Sequence, residues 1–376
     1  MKIFILAIMA STLITTSVLA QSITLPPSGD NQKSSVTQWI GLASITITYN
    51  SPNVTGPQGE DRKGHIWGEL VPYGFTDPGY GTSTSAPWRA GANENTTITF
   101  SHDMQVEGKK IKAGTYGLFL DVQKEGPWTW IFSTDANNWG HYHYDPAHDA
   151  IRVTSTPTDA PFTEFLTFGF DERLRTSAVA FMQWENKRAG FKIGNPEFYE
   201  AYVEKIRADI KGHRMGFSNQ SWMDAAQFCA QNKVNLDEAL AWADYAISGR
   251  FIGVEDFNSL QTKAQVLNAM GKESDAETIM AKALNHPSAS VMAIHQYGRT
   301  LLASGKKEKA LEVFKLNMKK HPEDKFTPYI GLARAYAALG DKKTAIKNWE
   351  VALKNIPENQ KANKEYYEGE LKKLKG

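Results

Sequence analysis

The sequence contains a single cysteine, Cys229, among 376 residues, so no disulfide can form within the chain. A zinc site built from several cysteines is excluded for the same reason. The formal net charge is only +1, far from the strong positive charge by which many nucleic-acid-binding proteins are recognised. We therefore expect no nucleic-acid partner.

Familiar catalytic motifs are also missing. The chain has no G-x-S-x-G, no H-E-x-x-H, no P-loop and no G-x-G-x-x-G that opens a helix. These absences weigh against an α/β-hydrolase, a zinc metalloprotease of that type, a nucleotide hydrolase and a dinucleotide-dependent oxidoreductase. The sequence therefore favours a protein without catalytic activity. Because these motifs are missing, they give no reason to predict a cofactor.

The first twenty residues have the three-part pattern of an export signal. Lys2 supplies a positive charge, Ile3 to Ala10 is apolar, and Val18-Leu19-Ala20 places small or modest side chains before a cleavage site. We predict a signal peptide over 1–20 and a periplasmic or secreted mature protein. The alternative is a membrane anchor, but a spanning helix needs about 20 apolar residues. No later stretch approaches that length, so no membrane-spanning segment is expected after cleavage.

The following part of the chain has the pattern of short strands. Ser44 to Tyr49 alternates polar and apolar residues, as does Thr97 to Phe100, and Gly126-Pro127 separates two β-rich runs. Many strands without intervening helices indicate an antiparallel sandwich or barrel, and we favour an antiparallel β-sandwich over 21–195. The predicted strands are 44–49, 97–100, 104–108, 117–122, 128–132, 151–153, 165–170 and 178–184.

The helical pattern begins after Gly194, and we expect Asn195 to cap a helix whose first residue is Pro196. Behind it, a glycine followed five residues later by alanine recurs at intervals of 34 and 35 residues. A large side chain follows nine residues after each glycine, and a proline ends each unit. The three units contain Gly271, Ala276, Met280 and Pro287; Gly305, Ala310, Phe314 and Pro322; and Gly340, Ala345, Trp349 and Pro357.

These units resemble the tetratricopeptide repeat, in which two helices pack as a pair. Asn232 to Ile247 is interpreted as the end of a fourth, degenerate repeat. Ala362 to Leu374 is rich in lysine and amphipathic, as expected of a helix that caps an open helical stack. The sequence therefore predicts a helical repeat domain over 196–376.

Several phrases of the β-rich part occur together in one known family. They include Tyr49-Asn50-Ser51-Pro52, His65-Ile66-Trp67-Gly68 and, most specifically, the W-R-x-G-A-N-E pattern that begins at Trp88. In this order, over residues 34–193, they resemble the exported bacterial family called domain of unknown function 2911. The resemblance implies an exported domain that is often followed by helical repeats, and it implies no particular activity.

The W-R-x-G-A-N-E pattern also supplies the first candidate site. Arg89 offers a planar fork of donors, Asn93 a donor and an acceptor, Glu94 a carboxylate, and Trp88 a stacking surface. Together they suit a carboxylate, a sugar ring or a peptide backbone. The structural alternative is a buried Arg89–Glu94 ion pair that fixes a loop to the sandwich.

A second candidate site is rich in histidine. If residues 141–143 form a strand, His141 and His143 point to the same face, and Asp145 or His148 from the next turn completes a set of three ligands. Such a set suits zinc and also other divalent metals. The alternative is an exposed aromatic hairpin end that binds no metal.

The predicted function is an exported cell-envelope binding or scaffolding protein, with helical repeats for a protein or peptide partner and a β domain for a small polar ligand. The segment 301–376 carries 17 Lys or Arg against 10 Asp or Glu. This excess suits an acidic peptide or an anionic surface. The alternative is ordinary solvation of charge at exposed interhelix turns. The alternative function is an envelope hydrolase acting on glycan or peptide, through Glu94 or through a metal held by His141 and His143.

Overall fold

The computed structural model describes residues 31–212 and 214–376, so the predicted signal peptide lies outside the described residues. The chain divides into two compact units between Phe198 and Tyr199. The first unit is built from strands and the second from helices, as the sequence predicts. Within the described ranges, no helix is both long and apolar enough to span a bilayer.

The first unit contains two antiparallel sheets. One has six strands in the order β1-β2-β3-β6-β7-β8, and the other has four in the order β5-β4-β10-β9. The strands are β1 (Gln32–Ile40), β2 (Ala43–Ser51), β3 (Thr97–Phe100), β4 (Met104–Val106), β5 (Lys109–Ile111), β6 (Gly114–Asp121), β7 (Trp128–Ser133), β8 (Asp149–Ser155), β9 (Thr158–Asp171) and β10 (Ser177–Gly194).

Aromatic rings from both sheets form the core between them, which confirms the predicted sandwich. Trp130 of β7 contacts Phe168 of β9 and Phe191 of β10, with ring centroids 6.3 and 5.0 Å apart. Phe132 lies 5.2 Å from the same Phe191. Burying each of these rings stabilises the fold by about 2–3 kcal/mol, because apolar burial contributes about 25 cal/mol per Å². Aromatic burial therefore holds the sandwich together without disulfides.

A long connection between β2 and β3, residues 52–96, lies against the sheets with only isolated bridges to them. Gly74 donates its N–H to the carbonyl oxygen of Val122 at 2.8 Å. Leu120 of β6 donates to the carbonyl oxygen of Trp88, also at 2.8 Å. These bonds fix the connection at both places, and they position the residues described in the next section.

From Phe198 onward, the described residues form ten α-helices. They are α1 (Phe198–Gly212), α2 (Asn219–Asn232), α3 (Leu236–Ser248), α4 (Phe257–Ala269), α5 (Glu273–Asn285), α6 (Val291–Ala303), α7 (Lys307–Lys320), α8 (Thr327–Ala338), α9 (Lys342–Lys354) and α10 (Lys364–Lys375). The repeat glycines Gly271, Gly305 and Gly340 have φ between +77° and +88° and make the turns within the pairs α4–α5, α6–α7 and α8–α9. The predicted three repeats are thereby confirmed.

Phe314 of α7 shows why the repeat needs small residues on the neighbouring helices. Its ring is fully buried and lies against Gly298 of α6 and Gly331 of α8. A methyl group at either glycine would overlap the ring. The same side chain therefore packs its own helix pair and joins it to the next pair.

The ends of the helical unit agree with the sequence in part. The degenerate repeat is a complete pair, α2 and α3, and Tyr367 and Leu371 of α10 pack on the last repeat. The expected cap at Asn195 is wrong, because α1 begins at Phe198. The buried Asn195 side chain instead donates a hydrogen bond to the carbonyl oxygen of Ile40 at 3.2 Å. It therefore binds the backbone of β1 and does not cap a helix.

Candidate ligand-binding cleft

The β unit contains a cleft of about 410 Å³, here called the Trp88 cleft. Its walls come from the connection 52–96, from the loop 134–148 and from β10. This volume is within the range of small-molecule sites, which are concave and mostly lined by apolar and aromatic side chains. Lining residues include Trp88, Arg89, Asn93, Trp139, His141 and Tyr142.

Packing with other indole rings fixes the Trp88 side chain. Trp88 stacks on Trp184 of β10 with centroids 6.1 Å apart, and Trp67 meets its ring edge-on at 6.0 Å. Its Nε1 donates to the carbonyl oxygen of Gly91 at 3.1 Å. Since its donor is used and its ring is packed, Trp88 forms a fixed apolar part of the wall.

Arg89 is held in place without an acidic partner. Its Nη1 donates to the carbonyl oxygen of Asn93 at 2.8 Å, and its guanidinium lies over the Tyr142 ring, 5.4 Å from the centroid. Gly140, at φ +64°, leaves room for the same group, since a Cβ there would overlap it. No carboxylate of the described residues pairs with Arg89, and most of its five N–H donors are unused.

Glu94 does not join the other three predicted ligand residues. Its carboxylate accepts a hydrogen bond from Asn50 Nδ2 at 2.7 Å and lines a second cavity of about 310 Å³. The structure therefore brings Trp88, Arg89 and Asn93 together and places Glu94 elsewhere. The Arg89–Glu94 ion pair, which was the structural alternative, is not formed in the described chain.

His141 lies in the Trp88 cleft, in a turn rather than the strand on which the metal hypothesis depended. Burial, followed by the positive charge of Arg89, lowers the pKa of His141 to about 4. Its Nδ1 is buried and has no hydrogen-bond partner within the described residues. At neutral pH the ring is therefore uncharged and keeps one polar atom unsatisfied.

The other predicted metal ligands have separate partners. His143 Nδ1 lies 3.1 Å from Thr82 Oγ1, and His148 Nδ1 lies 2.6 Å from Asp135 Oδ2, a hydrogen bond that raises the pKa of His148. Asp145 accepts from the Ala147 N–H and caps a short 3₁₀ turn. Across 31–212 and 214–376, no three His, Cys, Asp or Glu side chains are grouped to hold a metal. Zinc binding by His141, His143, Asp145 and His148 stays a prediction.

A partly buried polar network fixes the loop that carries His141 and Tyr142. Asp149 Oδ2 accepts from the Tyr144 hydroxyl at 2.8 Å and from Arg152 Nε at 2.7 Å. Arg152 Nη2 also donates to the Tyr144 oxygen at 2.9 Å, and burial raises the pKa of Tyr144. The network holds the end of the loop against β8, so the cleft has a rigid wall on this side.

Sequence reasoning missed several residues of the cleft, among them two tryptophans and an arginine. Arg62, Trp139 and Trp184 line it although they are distant from the W-R-x-G-A-N-E pattern along the chain. No local motif marks them, because they reach the cleft only through the tertiary fold. Arg62 belongs to the connection 52–96, whose path has no periodic pattern that could be read in advance.

The phrases singled out in the sequence thus gather on one domain, and several of them form its cleft. Residues 31–193 match the family model described as protein of unknown function (DUF2911). The DUF2911 region ends one residue before the end of β10 and includes the cleft residues named above. The predicted resemblance is confirmed.

No curated protein matches the chain significantly. Among solved structures, MamA 41-end from Desulfovibrio magneticus RS-1 is 18% identical, covering 42% of this chain and 94% of its own, with a TM-score of 0.27. The C-terminal part of a TPR repeat-containing protein from Cytophaga hutchinsonii is 13% identical, with coverages of 47% and 74% and a TM-score of 0.32. YrrB, described as a TPR protein with an unusual peptide-binding site, is 15% identical, with coverages of 43% and 93% and a TM-score of 0.23. For this chain, the repeat assignment rests on its own helix pairs.

The helical unit has a second group of unpaired polar side chains, on α6 and α8. His295 is 6% exposed, packs 5.4 Å from the Phe314 ring, and has a buried Nδ1 without a partner in the described chain. Burial, and then the charges of Arg334 and Arg299, lower the pKa of His295 to about 4. Neither arginine has an ion-pair partner within the described residues. Each lies six residues before its repeat glycine, so the two occupy equivalent positions in successive repeats.

Proposed function

We propose that the protein is an exported cell-envelope scaffolding protein whose helical repeats bind the acidic segment of a protein partner. The observation that carries this proposal concerns Arg299 and Arg334. They occupy the same position in successive repeats, and no carboxylate of the described residues pairs with either of them. Stacked helix pairs provide extended surfaces for such partners. The predicted signal peptide supports the envelope location.

Several lysines of the helical unit differ from these arginines in being paired with carboxylates. Lys282 pairs with Glu255 at 2.6 Å, Lys375 pairs with Glu350 at 2.8 Å, and Lys309 pairs with Glu277. Part of the positive charge of the unit is therefore neutralised within it. Arg299 and Arg334 keep their charge available, and complementary charge gives specificity to a contact with an acidic segment.

The test is affinity capture from an envelope extract with the full chain and two charge-reversed variants. The double variant Arg299→Glu with Arg334→Glu should capture at least tenfold less of the partner than the unmodified chain. Lys315→Glu with Lys319→Glu makes the same charge change on exposed positions of α7 and should keep it. Equal capture by all three proteins, or equal loss in both variants, would contradict the proposal.

The DUF2911 region contributes a second binding function in this proposal, the capture of a small polar ligand in the Trp88 cleft. Its support is the fixed aromatic wall together with unused donors of Arg89. The hydrolase alternative has less support. Glu94 bonds Asn50 at the second cavity, and none of the described residues lining the Trp88 cleft is an aspartate or glutamate.

A further inference from the structure

Among the described residues, the charged side chains that line the Trp88 cleft include two arginines, Arg62 and Arg89, and no carboxylate. The nearest acidic partner of Arg62 is Glu60, at 4.0 Å, and the Arg62 side chain remains 29% exposed. An unpaired guanidinium in a partly enclosed site attracts an anion, because charge-assisted hydrogen bonds are stronger than neutral ones.

The geometry of Arg89 favours a planar anion. Asn93 and Tyr142 hold the guanidinium from two sides, so little rotational freedom is left to lose when a ligand binds. A guanidinium fork presents parallel N–H groups that match the two oxygens of a carboxylate. His141 also lines the cleft, and a neutral imidazole ring has one N–H donor.

The mouth of the cleft presents an unpacked aromatic ring. Trp139 is 55% exposed and has no ring partner among the described residues, whereas the Trp88 ring deeper in the cleft is packed. An exposed indole beside a cationic group is suited to cover the flat side of a ring. The cleft therefore combines a site for an anion with a surface for a cyclic body.

We propose that the Trp88 cleft binds a small cyclic carboxylic acid, with its carboxylate on Arg89 and its ring against Trp139. This inference rests on the proposed ligand-binding function of the same cleft and names the chemical class of the ligand. Two sources share this chemistry, an aromatic acid and a sugar acid, and the choice of probes separates them.

The test is isothermal titration of the full chain with benzoate and glucuronate, beside the uncharged benzamide and glucose. At least one acid should bind at least tenfold more tightly than its uncharged counterpart. Tighter binding of benzoate indicates an aromatic acid, and tighter binding of glucuronate indicates a sugar acid. Absence of binding by both acids, or equal affinity for acid and uncharged probe, overturns the inference.

Variants locate the binding. Arg89→Met should weaken binding of the acid at least tenfold. Arg173→Met removes an exposed arginine outside the cleft and should leave the affinity unchanged. Trp139→Ala alters an exposed ring, so it keeps the test valid if Arg89→Met does not fold. It should weaken binding of the acid about fivefold. Equal effects of Arg89→Met and Arg173→Met, or no effect of Trp139→Ala, overturn the inference.

The result also separates the inference from the broader function. If glucose or benzamide binds as tightly as its acid and Trp139→Ala abolishes that binding, the carboxylate assignment fails while ligand binding in the cleft stands. If none of the four probes binds, the carboxylate assignment fails, and a wider screen of uncharged glycans and peptides then decides the binding function.

Discussion

The two units position their candidate binding residues in different ways. In the β unit, Arg89 and His141 lie in one cleft, on irregular segments over a regular sandwich. In the helical unit Arg299 and Arg334 recur at one position of the repeat, so the regular structure itself sets their spacing. Binding residues on irregular segments are positioned by long-range packing, whereas those on a repeat are positioned by its period.

Backbone conformation also differs between the residues beside Arg89 and the three repeat turns. Beside Arg89, the non-glycine residues Ala90 and Asn93 have φ of +50° and +56°, which L side chains seldom adopt. In the helical unit, positive φ at the three repeat turns falls on glycine, where it carries little strain. Strain beside the cleft indicates a conformation held by its surroundings, as is common at functional sites.

The largest expected effect is on the helical unit. Phe314→Ala should lower its free energy of unfolding by about 3–5 kcal/mol, because the change leaves a cavity between two helix pairs. Urea unfolding followed by far-UV circular dichroism measures this loss. Phe217→Ala, at a ring that is 80% exposed, is the control and should change stability by less than about 0.5 kcal/mol. Similar losses in both variants would show that Phe314 does not join the repeats.

The next effect compares the two neutral histidines. The folded pKa of His295 is about 4 against an ordinary 6.5, so the unfolded chain binds more protons between these values and stability falls as pH decreases from 6.5 to 4. We expect a loss of about 3 kcal/mol, because one pKa unit corresponds to 1.36 kcal/mol. His141 is less enclosed and should contribute less.

Urea unfolding at a series of pH values measures this dependence. His295→Phe removes the titrating group and should flatten the curve between pH 6.5 and 4. Phe217→Ala, at an exposed ring of the same unit that does not titrate, should leave the slope as it is in the unmodified chain. An unchanged slope in His295→Phe would assign the acid sensitivity to other groups.

The smallest effect concerns the support of Arg89. Gly140→Ala and Gly126→Ala both place a Cβ at positive φ, which costs roughly 1 kcal/mol at either position. Only the Cβ at 140 would also meet a neighbour, the Arg89 guanidinium, since nothing lies within 4 Å at 126. Thermal unfolding should therefore show a larger loss for Gly140→Ala, and benzoate affinity should fall in that variant alone. Equal unfolding and equal affinity would mean that Gly140 does not position Arg89.

Most of the fold could be predicted from the sequence, for identifiable reasons. The alternation of polar and apolar residues in β2 indicates a sheet with one buried face. The regular spacing of Gly271, Gly305 and Gly340 indicates a turn that recurs in each repeat. Asn195 misled the prediction, because a residue suited to cap a helix is instead bonded to Ile40 across the sandwich. Such a choice between local and distant partners is invisible in the local sequence.

The cleft could be predicted only in part. Trp88, Arg89 and Asn93 are close in the chain and stay close in the fold, whereas Glu94, the next residue, faces another cavity. Adjacent side chains often point apart, and no periodic pattern in 52–96 indicates which way each one points. Trp139 and Trp184 reach the cleft from distant segments, so only the tertiary structure brings them there.

The position of Phe314 between Gly298 and Gly331 also limits how the chain can change in length. Loss or gain of a few residues inside one helix pair would rotate one glycine away from the ring and bring a bulkier neighbour against it. Addition or removal of a whole unit of 34 or 35 residues preserves the spacing of the repeat positions along the chain. Lineages that carry this domain should therefore differ by complete helix pairs, with variation inside a pair confined to the turns.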